Sequence, residues 1–177
     1  MTDEELVRAC LNKNQKAQRK LFEKYSSVMF GVCLRYTSST NDAEDVLQEA
    51  FIKVFSKLDN YSFKGSFEGW IRRIVVNTAL DFIRKNKKMQ LNLSIEDVGY
   101  GLKKNQFVVE DLTAIELMKI IQNIPAGYRT IFNMYAIEGY SHKEIAQELE
   151  ISENTSKSQL SRARAVIKKL LNENNLI

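Results

Sequence analysis

The chain has 177 residues, and its 26 Lys and Arg against 22 Asp and Glu leave a formal net charge of +4. Only seven residues are Gly and one is Pro, about 5% of the chain against about 12% in average usage. So few turn-forming residues exclude a turn-dense sandwich or barrel and a Pro/Gly-rich disordered chain, and they favour an all-α fold. With 44% hydrophobic residues, a chain of this length forms one large domain or two small ones.

Residues 1–88 are predicted to form one helical domain. Apolar residues recur at helical spacing over residues 20–36, and residues 43–58 have the cleanest amphipathic pattern in the chain. A loop at Asn60–Ser66 then leads to a long helix from Phe67 to Lys85. Helices of this length can enclose a hydrophobic core.

Residues 89–111 are predicted to be a flexible linker, because the periodicity fades there among charged residues and two glycines. It resumes at Leu112, and the next helix is expected to end before Pro125, since the residue preceding a proline avoids helical geometry. Residues 112–177 are therefore predicted to form a second small helical domain.

The most specific motif, at residues 139–170, has the pattern of a helix-turn-helix. Ser141 and Glu144 form a capping box that begins one short helix, and Ser152 and Thr155 begin the next. The second helix has an apolar side and a basic side, and residues 153–170 carry a local charge of +4. This pattern predicts a helix that lies in the major groove of DNA. The candidate contacts to bases and phosphates are Thr155, Lys157, Ser158, Ser161 and Arg162.

A second candidate nucleic-acid surface lies in the first domain, where residues 70–88 carry a local charge of +5. Aromatic rings alternate there with cations, as binding of unstacked bases requires. The candidate residues are Tyr61, Phe63, Lys64, Trp70, Arg73, Asn77 and Arg84. The alternative is that Phe67 and Trp70 simply belong to the hydrophobic core.

The outward face of the 43–58 helix is acidic, and Ile52 lies in the middle of it. A lone exposed Ile needs no explanation, but an apolar residue with a polar rim is also the pattern of a protein-docking patch. Because an acidic face is poorly suited to DNA, its partner is expected to be a protein. The candidate docking residues are Asp45, Gln48, Glu49 and Ile52.

Other classes of function have little support in the sequence. A single His, His142, and two cysteines cannot supply a four-ligand zinc site, and we expect Cys10 and Cys33 to be buried, reduced thiols. There is no Gly-rich phosphate loop and no nucleophile elbow, so we expect neither an enzyme, nor a cofactor, nor a small-molecule substrate. No apolar run approaches the ~20 residues of a membrane span, and because the N-terminus is acidic we expect no secretory signal. A cytoplasmic protein is expected.

Three segments together closely resemble the extracytoplasmic-function (ECF) type of bacterial RNA polymerase sigma factors. They are residues 42–51 (DAEDVLQEAF), residues 67–84 (FEGWIRRIVVNTALDFIR) and the helix-turn-helix at residues 139–170. They occur in the order of that family and, with the linker, cover nearly the whole chain. Glu150 stands where the family's turn commonly has Gly. This change can alter the geometry of the turn, and it is tolerable if the backbone stays near helical.

This resemblance implies a role for each surface. The acidic helix would dock on the β′ clamp of core RNA polymerase. The strip around Asn77 and the loop before it would capture unpaired −10 bases, and the second domain would bind the −35 element as duplex DNA. The linker would thread toward the polymerase active-site cleft. An anti-sigma protein is an expected further partner.

The alternative is a helix-turn-helix transcriptional regulator that acts without replacing a sigma factor. That hypothesis explains the C-terminal motif. It leaves the +5 aromatic strip and the acidic face without a role, and it predicts a dimer seam for which the sequence offers no sustained heptad.

Overall fold

A computed structural model of the protein describes residues 1–90 and 112–174. Every regular element in those two stretches is a helix, which confirms the predicted all-α fold. The chain divides into two compact units, Met1–Lys104 and Asn105–Ile177. The α-helices are α1 (Asp3–Leu11), α2 (Gln15–Tyr36), α3 (Thr40–Ser56), α4 (Phe67–Gln90), α5 (Leu112–Asn123), α6 (Ala126–Phe132), α7 (His142–Leu149) and α8 (Glu153–Glu173).

The predicted linker lies almost entirely outside the described residues. Only residues 89 and 90 fall within them, and both continue α4, which is longer than the predicted Phe67–Lys85 helix. A short 3₁₀ turn, Leu58–Asn60, follows α3, and a π-helical turn, Asn133–Ile137, follows α6.

The first unit forms a core between α2, α3 and α4, with α1 packed on α2. Leu21, Val46 and Ile71 contribute one fully buried side chain from each of these three helices. The apolar positions predicted on α3 are buried, apart from a half-buried Phe55. Truncating a fully buried Leu or Ile to Ala typically costs about 2–5 kcal/mol of stability, so this core holds the faces of α3 and α4 in place.

Both cysteines lie in the first unit and are free and buried, as predicted. Burial raises the pKa of the Cys33 thiol to about 12 and also raises that of Cys10. At neutral pH both groups are therefore protonated thiols, which are poor nucleophiles and poor metal ligands.

The second unit packs α6 and α7 against α8. Its fully buried side chains include Ile131, Met134 and Ile145. The predicted capping box is present, because the Ser141 hydroxyl accepts the Glu144 N–H and the Glu144 carboxylate accepts the Ser141 N–H. Ser152 caps α8 by accepting the Thr155 N–H at 3.0 Å.

The turn between α7 and α8 does not meet the condition under which Glu150 would be free of backbone strain. Glu150 has φ 53° and ψ 44°, which is left-handed rather than near-helical backbone. The helix ends there with the Ile151 N–H bonded to the Ala146 carbonyl at 3.0 Å. A side chain with a Cβ adopts this conformation at a cost of roughly 1–2 kcal/mol, whereas Gly adopts it freely. Glu150 therefore occupies a strained position.

We expect Glu150→Gly to stabilise the protein by about 0.5–1 kcal/mol, because the strain removed exceeds the added backbone entropy of the unfolded chain. Thermal unfolding of the full chain measures it as a rise of a few degrees in the Tm of the second unit. Gln147→Gly is the matched control, because it places the same residue inside α7 and should lose about 1 kcal/mol. A lower Tm for Glu150→Gly would contradict the prediction.

Candidate nucleic-acid and protein interfaces

The basic side of α8 divides into exposed side chains and side chains bound within the helix. Lys157, Ser161 and Arg162 are exposed. The Thr155 hydroxyl lies 2.8 Å from that of Ser152 in the helix cap, and the Ser158 hydroxyl donates to the Thr155 carbonyl at 3.0 Å. Among the five residues predicted to contact DNA, Lys157, Ser161 and Arg162 therefore have the side chains best placed to reach a groove.

Side-chain contacts fix α7 against α8. The His142 Nδ1 lies 2.9 Å from the hydroxyl of Ser156, which is fully buried in α8. The His142 ring stacks on Tyr135 with centroids 4.5 Å apart. This histidine therefore has a packing role within the helix-turn-helix, and the sequence left that role unassigned.

An aromatic cluster holds the loop between α3 and α4. The Tyr61 ring contacts those of Phe63, Phe67 and Trp70 at centroid distances of 5.2, 4.9 and 5.5 Å. Its hydroxyl donates to the Gly65 carbonyl at 3.0 Å. Tyr61 is buried and Trp70 half-buried, whereas Phe63 and Lys64 are exposed. Phe63 and Lys64 are thus exposed on a loop that the packed rings of Tyr61, Phe67 and Trp70 support.

The strip along α4 continues from this cluster. Arg73 and Asn77 are exposed on it. The Arg84 guanidinium pairs with the carboxylate of Asp81 at 2.6 Å, so Arg84 is a cation whose charge is partly neutralised before any nucleic acid is bound. The structure thus places a cation and an amide on the exposed side of α4, one and two turns beyond Trp70.

The acidic face of α3 carries all four predicted docking residues on its exposed side. Ile52 is 69% exposed, and Asp45, Gln48 and Glu49 are exposed around it. Lys53 pairs with Glu49 at 2.8 Å and lies 3.5 Å from Asp81 on α4. Lys53 therefore connects the acidic face with the α4 strip, a link that the sequence did not predict.

One cation beside the loop was also missed from the sequence. The guanidinium of Arg8, on α1, lies 5.3 Å from the centroid of the Phe63 ring. Arg8 and Phe63 are far apart in the sequence, so no local sequence pattern indicates the contact.

The described residues contain no cluster of three or more His, Cys, Asp or Glu side chains able to hold a metal ion. Across residues 1–90 and 112–174, every helix is too short or too polar to span a lipid bilayer.

Comparison with known families matches both units of the chain. Residues 21–89 match Sigma-70 region 2, and residues 114–167 match Sigma-70, region 4. The ECF RNA polymerase sigma-E factor of Haemophilus influenzae is 30% identical, over 94% of this chain and 94% of that protein. The ECF RNA polymerase sigma factor SigW of Bacillus subtilis is also 30% identical, over 90% of this chain and 91% of that protein.

Two solved structures have a similar fold. The sigma factor RpoE of Bartonella quintana, in complex with the anti-sigma factor NepR, gives a TM-score of 0.55 at 22% identity and covers 87% of this chain and 96% of that one. CnrH, in complex with the cytosolic domain of CnrY, gives a TM-score of 0.53 at 22% identity and covers 97% of both chains. At this level of identity the likeness is one of fold.

Proposed function

The chain belongs to the ECF group of the sigma-70 family of RNA polymerase sigma factors, and we propose that its three exposed surfaces divide the work of transcription initiation. The observation that carries the function is the presence of both sigma-70 regions, in order, in a chain that matches the Haemophilus influenzae sigma-E factor over 94% of that protein. The protein is a sigma factor, and its partners are core RNA polymerase and promoter DNA.

The first proposed surface is the exposed basic side of α8, which would bind the −35 element in the major groove. Arg162 has the geometry to donate two hydrogen bonds to a guanine edge, and Lys157 is suited to a phosphate. Thr155 and Ser158 would add weaker hydrogen bonds to the DNA, since both hydroxyls are already partly used within the helix.

The second proposed surface is the aromatic loop with the α4 strip, which would bind the melted −10 strand. Phe63 and Trp70 offer stacking surface, and Asn77 can hydrogen-bond to a base edge. Lys64, Arg73 and Arg84 supply cations for the phosphates. The role of Tyr61 would be to support the loop from beneath, because its side chain is buried.

The third proposed surface is the acidic face of α3, which would dock on the β′ clamp of the polymerase. A 69%-exposed Ile within a carboxylate rim has the composition of a small interface centre, where an apolar anchor is surrounded by polar residues. The partner surface would then be basic with an apolar recess.

The protein would catalyse nothing itself, because nucleotide addition belongs to the polymerase. It would act in the cytoplasm with the polymerase. An anti-sigma protein is a further proposed partner, supported by the two solved relatives of similar fold that are complexes with such a protein or with a cytosolic domain. The alternative of an ordinary helix-turn-helix regulator is not favoured, because it leaves the match of residues 21–89 to region 2 unexplained.

Run-off transcription tests the proposed function. Purified protein is added to core RNA polymerase free of other sigma factors, on fragmented genomic DNA of the source organism. Promoter-specific transcripts that require the added protein are expected. A protein that neither co-purifies with core nor yields such transcripts would contradict the proposal. A regulator acting without replacing a sigma factor would give transcripts only when another sigma factor is present.

A further inference from the structure

Arg8 is an arginine of the N-terminal helix placed against the exposed loop of the aromatic cluster. Its guanidinium lies over the Phe63 ring at 5.3 Å. Both its Nε and a terminal nitrogen donate to one carboxylate oxygen of Glu4, one turn earlier, at 3.2 and 2.7 Å. The side chain remains 66% exposed, so donors of the guanidinium stay accessible to solvent.

The helix that carries Arg8 is attached to the same aromatic cluster. The Tyr25 hydroxyl donates to the Asp3 carboxylate at 2.6 Å, and Lys24 pairs with that carboxylate at 2.5 Å. Hydrogen bonds from Lys24 and Tyr25 lower the pKa of Asp3. The ring of Tyr25 in turn packs on Phe67, with centroids 5.6 Å apart. α1 is therefore a fixed neighbour of the loop.

Phe63 itself is held in an unusual conformation. Its φ of 57° is left-handed, which costs a bulky residue roughly 1–2 kcal/mol, and its side chain is 40% exposed. Neither property helps to fill a core. Strained residues that persist in this way concentrate at binding sites, and the strained residue here has a part-exposed aromatic ring beneath a cation.

Resting on the proposed −10 role of this loop, we propose that Arg8 is a nucleic-acid-binding residue: it orients the Phe63 ring and contacts the phosphate next to the base that this ring receives. A guanidinium can lie with its face on an aromatic ring while its edge donates to a phosphate. A lysine cannot reproduce both contacts. The N-terminal helix thereby becomes part of the single-strand surface.

The test measures binding of the full chain to a fluorescein-labelled, mixed-sequence single-stranded DNA 20-mer by anisotropy over a series of salt concentrations. Phe63→Ala should weaken binding about 5- to 150-fold, the range measured for loss of one stacked base. Arg8→Gln should weaken binding and reduce the slope of log K against log[salt] by about 0.7, the value for one phosphate contact to a single strand. Arg8→Lys should keep the slope and lose part of the affinity.

Arg19 supplies the matched control. It is an exposed arginine of the same unit, paired with Glu23 at 2.8 Å and the same i,i+4 spacing. Arg19→Gln should leave both affinity and slope unchanged. Thermal unfolding of the two Gln variants should give Tm values within a few degrees of each other. Both remove an exposed helical ion pair worth about 0.3–0.5 kcal/mol, and Arg8→Gln also removes an exposed cation–π contact worth about 0.5–1 kcal/mol.

The outcomes separate this inference from the proposed function. If Phe63→Ala weakens binding while Arg8→Gln keeps the affinity and slope of the parent chain, Arg8 has no such role and the −10 assignment stands. If Phe63→Ala also binds like the parent chain, both the −10 assignment of the loop and this inference fail. Run-off transcription tests separately whether the protein acts as a sigma factor, and its result does not depend on these binding measurements.

Discussion

Asp45→Lys combined with Ile52→Asp is expected to weaken binding to core RNA polymerase by at least about 30-fold. The two changes reverse a charge of the acidic face and replace its exposed apolar centre by a carboxylate. Loss of a hot-spot residue costs about 2 kcal/mol or more, and each 1.4 kcal/mol is tenfold in affinity. Titration of labelled protein with purified core polymerase measures the change.

Glu44→Lys is the control for this variant. Glu44 is exposed on the same helix and adjacent to Asp45. Its replacement reverses one carboxylate charge, as Asp45→Lys does, but outside the face of Asp45, Gln48, Glu49 and Ile52. It raises the net charge by two, more than the double variant, in which Ile52→Asp adds a carboxylate. Core binding should stay close to that of the parent chain. Exposed substitutions of this kind usually change stability by less than about 0.5 kcal/mol, so the variants should share one Tm. Equal loss of binding by Glu44→Lys would show that the interaction depends on overall charge and that the Ile52 face has no special role.

The features of this fold that can be predicted from the sequence are those that depend on residues close together in the chain. The buried side of α3 could be predicted because helical periodicity is a local property, visible in seventeen consecutive residues. The two helix starts at Ser141 and Ser152 could also be predicted, because a cap requires residues only three positions apart.

Glu150 shows where local reasoning stops. Its left-handed backbone turns the chain between α7 and α8, two helices that pack against each other. A Glu at that position carries no signal for such geometry, whereas a Gly would have carried one. The sequence therefore left the geometry of this turn open, and only the structure determines it.

The candidate sites divide in the same way. The candidate surface on α3 lies on one face of a single helix, and so does the one on α8. Residue spacing is therefore enough to predict which residues share each face. Burial of Tyr61 and the position of Arg8 over Phe63 depend on contacts between separate segments. The ion pair between Lys53 on α3 and Asp81 on α4 has the same origin. Such contacts have no sequence period, so only the three-dimensional structure reveals them.

Arg162→Ala is expected to weaken binding to the promoter duplex by about 1–3 kcal/mol, roughly 5- to 150-fold, if the guanidinium contacts a base edge. Arg162 is exposed on the basic side of α8, where a paired contact to guanine is the commonest specific one. The measurement uses the full chain and a duplex promoter identified by run-off transcription, with a scrambled duplex of the same length. Affinity for the scrambled duplex should fall much less.

Two further variants on α8 distinguish base recognition from charge. Lys157→Ala should weaken binding to both duplexes alike and reduce the salt slope by about 0.9, because a phosphate contact carries no sequence information. Arg164→Ala removes an exposed arginine whose guanidinium lies 6.0 Å from the Tyr135 ring, and it should preserve the preference for the promoter. If Arg162→Ala weakens both duplexes equally, Arg162 contacts a phosphate, and sequence recognition must come from other residues of this helix.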